Sequence, residues 1–252
     1  MTALAADIAA ALDPVELARR VGVVPDPWQA RVLRSPADRL LLNCCRQSGK
    51  STIAALRAVH ETVYVPGSLC LLVSPSLRQS QELFRKALGA YRTLGRPVPP
   101  EAENQLSLHL ENGSRIESLP GKESTVRGFS GVRLIVVDEA ARVPDELYVS
   151  LRPMLATSAG RLLALSTPFG SRGWWFDAWR SGNSWERYEV PASEVPRISP
   201  EFLEEERATL GSWFFAQEYE CRFMESETQA FRREDVEAAF ELGVEPWSFL
   251  AS

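Results

Sequence analysis

Lysine is nearly missing from this sequence: 252 residues contain three, Lys50, Lys86 and Lys122, so arginine supplies almost all of the positive charge. No apolar run approaches the ~20 residues that a membrane-spanning helix needs, and the first residues lack the basic-then-apolar layout of an export signal. Four cysteines (Cys44, Cys45, Cys70, Cys221) show neither metal-ligand nor disulfide-framework spacing. They read as small buried hydrophobes in a reducing compartment. His60 and His109 are isolated and suggest no metal site. There is no internal repeat and no low-complexity segment. These absences exclude a membrane span, a disulfide-stapled secreted scaffold and a zinc module. What remains is an ordinary globular composition, 45% hydrophobic and 24% charged, with length for one large domain or one plus a small appendage.

The net charge of −5 is unevenly placed. From Ser199 onward there are 13 Asp/Glu and 4 Arg, a net of −9, so the chain before it carries +4. Any contact with nucleic acid must therefore be local.

The most informative stretch is Leu40 to Thr52, LLLNCCRQSGKST. An apolar run enters Arg46, Gln47 and Ser48, then Gly49, Lys50, Ser51 and Thr52, and a helical pattern follows from Ile53. A buried strand, a tight loop and a helix start are the setting of a phosphate-binding loop. Successive N–H groups and the helix N-terminus form a nest for polyphosphate oxygens. Gly49 permits close backbone approach, Lys50 adds charge on the outer phosphates, and Ser51 can hold Mg²⁺. Cys44 stands where such loops commonly have their first glycine.

Upstream, Leu4, Ile8 and Leu12 have the spacing of a short amphipathic helix. Asp26 and Pro27 mark a further helix start, as cap and first turn, which places Gln29 just ahead of the loop. Its amide could donate to and accept from the edge of adenine together. Downstream, the pattern predicts a helix to about Val63, a strand at Leu69–Val73 and a helix at Arg78–Arg92. A Pro-rich connector spans Pro97–Pro100. Leu106–Leu110 and Arg115–Leu119 form a hairpin around Glu111-Asn112-Gly113.

Leu134-Ile135-Val136-Val137-Asp138-Glu139 is the second strong motif. Four apolar residues make a strand buried on both faces, and two carboxylates emerge at its end. Beside a phosphate loop, Asp138 can reach Mg²⁺ and Glu139 can take a proton from an attacking water. A third strand, Leu162–Leu165, ends at Ser166-Thr167-Pro168, where a hydroxyl can sense the γ-phosphate. Trp174–Trp179 reads as a helix and Tyr188–Val190 as a strand. An acidic helix from Ser199-Pro200 ends near Gly211, and a second from Ser212 carries Trp213, Phe214, Phe215, Tyr219 and Phe223 as core residues.

These motifs predict an α/β fold: a RecA-like, additional-strand phosphate-loop ATPase, its mostly parallel sheet flanked by helices, with a small C-terminal helical or lid region. The expected organisation is an N-terminal helical segment at 1–20, the ATPase core at 21–195, and a helical subdomain and linker at 196–252. The separation of 88 positions from Lys50 to Asp138 leaves room for an intervening strand and helix.

The order of PDPWQARVL, CCRQSGKST, LLVSPSLRQSQE, TVRGFSG, LIVVDEAA, LALSTPFGSRGWWF and FAQEYECRF resembles the large terminase subunit of tailed bacteriophages, in its N-terminal ATPase region, over about residues 20 to 225. That resemblance implies ATP and Mg²⁺ as ligands. It makes Gln29 the adenine-side glutamine, Arg46 to Thr52 the nucleotide-binding loop, and Ser51 and Asp138 the metal residues. Glu139 becomes the water-activating carboxylate and Thr167 the coupling residue. Arg46 and Arg127 are the candidates for a transition-state arginine, with Arg127, in a loop with two glycines, favoured to act across a subunit interface.

The family resemblance further implies double-stranded DNA, a portal protein and a small terminase subunit as partners, a homo-oligomeric ring on the procapsid, no membrane, and the host cytoplasm. The family's nuclease half needs a second run of strands bearing carboxylates. None is visible, so either an excised ATPase domain or a shortened protein is expected, without nuclease activity. Two alternatives stay open: a helicase-like translocase, which would need a second RecA-like domain, and a nucleotide-binding module that does not hydrolyse.

Overall fold

The computed structural model describes residues 3–121, 126, 128–181 and 184–225. Apolar runs form the strands β1 (Arg39–Cys44), β2 (Leu69–Ser74), β6 (Leu134–Asp138) and β7 (Arg161–Ser166), almost every position of which is buried. Helices α4 (Lys50–Tyr64) and α5 (Leu77–Thr93) follow β1 and β2. The hairpin pairs β4 (Ser107–Leu110) with β5 (Arg115–Pro120) as expected. β8 (Glu186–Val190) extends the predicted strand by two residues.

Among the described residues eight strands join one sheet in the order β3-β4-β5-β2-β6-β7-β1-β8. Only the pairs β3–β4 and β4–β5 are antiparallel; the others run parallel. β7 lies between the loop-bearing β1 and the carboxylate-bearing β6, so it is the additional strand, and the fold is RecA-like. β3 (Pro100–Glu103) begins at the last proline of the expected connector. Proline is tolerated there because it opens an edge strand, where one face of the backbone needs no ladder donor.

Both faces of the sheet are covered, which is why its central strands read as continuous apolar runs. Leu40, Leu42, Leu134, Val136, Leu163 and Leu165 face one layer, with Ile53, Leu56, Leu83, Phe84 and Tyr91 from α4 and α5. The alternate residues Leu41, Ile135, Val137, Leu162 and Ala164 face the other, with Leu147 and Leu151 of α6 (Asp145–Leu151) and Trp174 and Trp175 of α7 (Gly173–Ser181).

The N-terminal helices α1 (Ala3–Leu12) and α2 (Pro14–Arg20) and the helix α3 (Pro27–Arg34) join the first layer. α1 forms, but Leu4, Ile8 and Leu12 are exposed. Its alanine side is what packs: Ala10 is buried, Asp7 accepts from the Tyr64 hydroxyl at 3.0 Å, and the Ala11 carbonyl lies 3.1 Å from His60 Nε2. Arg57, buried in α4, donates to the carbonyls of Val32, Leu33 and Ser35 at 2.6, 3.1 and 2.7 Å. The cation thus satisfies the C-terminal carbonyls of α3 and fixes that helix, with Gln29, against the core.

At the other end, α8 (Pro200–Glu218) is broken at Gly211 (φ 73°, ψ 165°), where the sequence pattern places the junction of two helices. Phe215 and Tyr219 enter the core, whereas Phe214 is exposed. Among the described residues no helix is long and apolar enough to cross a membrane.

Candidate active site: a phosphate cleft at the carboxyl edge of the sheet

The loop after β1 follows from its residue types. Gln47 (φ 58°) and Gly49 (φ 87°) take left-handed backbone angles, turning the chain sharply between strand and helix. Gly49 then precedes α4, whose free N-terminal N–H groups point into the loop. A Cβ at Gly49 would lie 2.8 Å from Gln29 Nε2, so only glycine fits without a shift.

Distant parts of the chain brace this loop. The Ser48 carbonyl accepts from Gln29 Nε2 at 2.9 Å and from Arg197 Nη2 at 3.0 Å. Arg197 Nη1 also donates to Asp26 at 2.9 Å, and the Asp26 N–H donates to Gln29 Oε1 at 2.9 Å, which closes the network. The N–H groups of Cys45 and Arg46 donate to the carbonyls of Val190 and Glu218 at 3.0 and 3.1 Å. Arg46 Nε forms a 2.6 Å ion pair with Glu218. Gln29 is thus buried with both ends of its amide bonded to protein, which leaves its second N–H and the second lone pair of its oxygen for any contact with adenine.

Arg46, Gln47, Ser48, Gly49, Lys50, Ser51 and Thr52 line a cleft of about 590 Å³, with Glu139 and Thr167 opposite. Asp138 lies buried at the end of β6, and its Oδ1 accepts the Glu139 N–H at 3.0 Å. Burial and the neighbouring Glu139 raise the pKa of Asp138, while Lys50 and the Ser51 hydroxyl pull it down. A buried carboxylate whose ionised form is short of positive charge, beside a hydroxyl, is a hard oxygen donor set. It suits a Mg²⁺ ion that takes its remaining ligands from phosphates and water. Glu139 adopts left-handed angles (φ 51°, ψ 42°), uncommon for a residue with a Cβ and a strain that concentrates at functional sites.

Arg127 lies outside the described residues. The remaining candidates gather at the one edge where β1, β6 and β7 end, although Gln29 braces the loop from behind instead of lining the cleft. Sequence reasoning missed five residues of this region. Gln79 and Lys86 of α5 and Arg142 line the cleft, and Arg197 and Glu218 brace the loop. Only the first two left a signal: seven residues apart, they share one face of a helix that follows a strand of the parallel set.

Residues 41–238 match the family described as terminase large subunit, T4likevirus-type, N-terminal. The large terminase subunit of Thermus virus P23-45 is 27% identical over 216 residues, covering 77% of this chain and 44% of that protein. That of Escherichia phage T5 is 26% identical over 223 residues, covering 83% of this chain and 50% of the relative. The chain therefore spans about half the length of these curated relatives. In fold it is similar to the large terminase ATPase domain of Thermus phage P74-26, with a TM-score of 0.73 at 24% identity, covering 82% of this chain and 97% of that one. The large terminase of another thermophilic bacteriophage, solved in complex with ADP, aligns with a TM-score of 0.65 at 12% identity, covering 79% of this chain and 54% of that one. With the family match extending over more than half of its residues, the chain belongs to the N-terminal, T4likevirus-type family of terminase large subunits.

Proposed function

We propose that this chain is a Mg²⁺-dependent ATPase that drives double-stranded DNA into a procapsid, working in a ring with a portal protein and a small terminase subunit in the host cytoplasm. The observation that carries the catalytic part is the convergence of Lys50, Ser51, Asp138, Glu139 and Thr167 on one cleft edge. The nucleotide complex of a structural relative supports ATP as the ligand, and the family supports the packaging role.

In this reading the N–H groups of the loop and the start of α4 hold the phosphate chain, and Lys50 adds its charge to the outer phosphates. Ser51 and Asp138 would hold Mg²⁺, which would supply positive charge against the phosphates. Glu139 accepts the proton of the attacking water as its oxygen approaches the γ-phosphorus. Thr167, buried at the end of β7, reports the loss of that phosphate to the segment beyond it. Arg46 lines the cleft while its Nε is held by Glu218, which leaves its Nη groups for the phosphates. Arg127 is assigned to the nucleotide of a neighbouring subunit, where a guanidinium offsets transition-state charge. DNA cleavage is not part of the reading.

The test is Glu139→Gln, whose amide cannot accept the proton. It should bind ATP as the parent does while turnover falls about 10²–10⁴-fold. Turnover at the parental rate would sink the assignment. Under conditions that promote assembly, mixing Glu139→Gln with Arg127→Ala pairs an intact site with an intact arginine at some interfaces. Partial recovery of hydrolysis is expected there, and none despite verified co-assembly would remove Arg127 from the trans role.

A further inference from the structure

Arg142 closes the 3-10 turn that Glu139 opens, its N–H donating to the Glu139 carbonyl at 2.9 Å. Its side chain turns back along the same stretch. Nη1 lies 3.4 Å from Glu139 Oε2, and the guanidinium carbon stands 4.5 Å from the centre of the Phe169 ring. Phe169 is half exposed and follows Thr167 and Pro168, the segment after β7. Arg142 itself lines the phosphate cleft. One side chain thus touches the carboxylate assigned to water activation and the segment assigned to sensing phosphate loss.

A partly exposed ion pair at 3.4 Å adds little stability by itself. What it can supply is direction. The guanidinium is planar, and a plane resting on an aromatic face is fixed in orientation where a free side chain would sample many rotamers. The left-handed backbone of Glu139 fixes where its Cβ starts but not where the carboxylate ends. A mobile carboxylate is a poor base, because the barrier depends on holding it within hydrogen-bond reach of the water.

We propose that Arg142 is a positioning residue for Glu139, oriented by Phe169, and that through this stack the carboxylate follows movements of the segment after Thr167. The proposal rests on the ATPase reading above. It places Arg142 on the carboxylate and not on the phosphates, which separates its expected effect from that of Lys50. A phosphate contact would show in affinity, whereas a positioning residue shows in turnover alone.

The experiment measures steady-state hydrolysis of Mg-ATP and, separately, nucleotide binding, for the parent, Arg142→Ala, Arg142→Lys, Phe169→Leu and Arg142→Ala/Phe169→Leu. Arg142→Ala should lower kcat by up to about 100-fold, the loss that a reacting group misplaced by about 1 Å can cause. KM and Kd should stay within about 3-fold of the parent, as expected when only the transition state loses an interaction. Arg142→Lys should recover part of kcat, since an ammonium can pair with the carboxylate but cannot stack as a plane. Phe169→Leu should lower kcat in the same direction. The double variant should be no slower than Arg142→Ala, because the ring acts only through the arginine.

A parental kcat in Arg142→Ala, or a loss confined to Kd, overturns the proposal. Fully additive losses in the double variant remove Phe169 from it. Should Arg142→Ala unfold, Arg142→Lys and Phe169→Leu carry the same kcat-against-Kd comparison. A parent chain that neither binds nor hydrolyses ATP brings down the ATPase reading and this proposal together. An active parent with an equally active Arg142→Ala brings down only this one.

Discussion

The loop after β1 and the turn after β6 face each other across one cleft, and the fold holds them by different means. The loop is fixed by four remote residues: Gln29 and Arg197 on the Ser48 carbonyl, Glu218 on Arg46, and Val190 on the Cys45 N–H. Across the cleft, among the described residues, the Glu139 side chain bonds to Arg142, three positions along its own turn, at 3.4 Å. A phosphate cradle gains from rigidity, since donors already in place need no reorganisation when the ligand arrives. A carboxylate that must act at one moment of a cycle gains from a holder that can move with a neighbouring segment. The difference therefore lies between binding and chemistry, and it can be tested on each side separately.

The largest effect on the rigid side is expected from Gly49→Ala. The new Cβ would stand 2.8 Å from Gln29 Nε2 on a backbone at φ 87°. Left-handed angles cost a non-glycine residue roughly 1–2 kcal/mol, so nucleotide affinity should fall about 5–30-fold if the loop shifts to relieve the strain. Thermal unfolding should drop by a few degrees as well. Isothermal titration and a melting curve check both, and a variant equal to the parent in each would show that the loop is not as tightly set as its contacts suggest.

Gln29→Ala should act more mildly, because Arg197 still donates to the Ser48 carbonyl. Of the two hydrogen bonds it removes, one is to the loop, and losing that bond, about 1 kcal/mol, should weaken ATP and GTP binding alike. Measuring both affinities sharpens the comparison: a loss confined to ATP would return Gln29 to the adenine-side role and take it out of the brace.

The smallest effect concerns thiols. Burial raises Cys44 and Cys70 to about 12 and Cys45 to about 11. At about pH 8, then, their thiolate fraction is far below that of a free cysteine, and a water-soluble thiol reagent should react only after denaturant is added. Fast native labelling of Cys45 alone would mean that the chain leading into the loop opens readily, which would break the contrast drawn above.

The two strongest motifs were legible because each is local. A buried strand running into Gly49-Lys50-Ser51, and another ending in Asp138-Glu139, carry their chemistry within a short stretch each, and the apolar runs already require a sheet covered on both faces. From that the sequence determined the fold class, the strand edge where the cleft lies, and the residue types meeting there. It did not determine which apolar residues are buried. Leu4, Ile8 and Leu12 have helical spacing, yet α1 packs through its alanines, and Phe214 lies outward beside the buried Phe215. Periodicity describes one element, whereas burial depends on which face its neighbour offers. The bracing network was also beyond reach, because Asp26, Gln29, Ser48 and Arg197 span 171 positions and meet only once the sheet has formed. The stack of Arg142 on Phe169 likewise exists because β6 and β7 are adjacent in the sheet, an order that their separation in sequence does not dictate. Local pattern determined what chemistry is present. Non-local packing decided what holds it, since a hydrogen bond or a ring contact depends on separation in space and not along the chain.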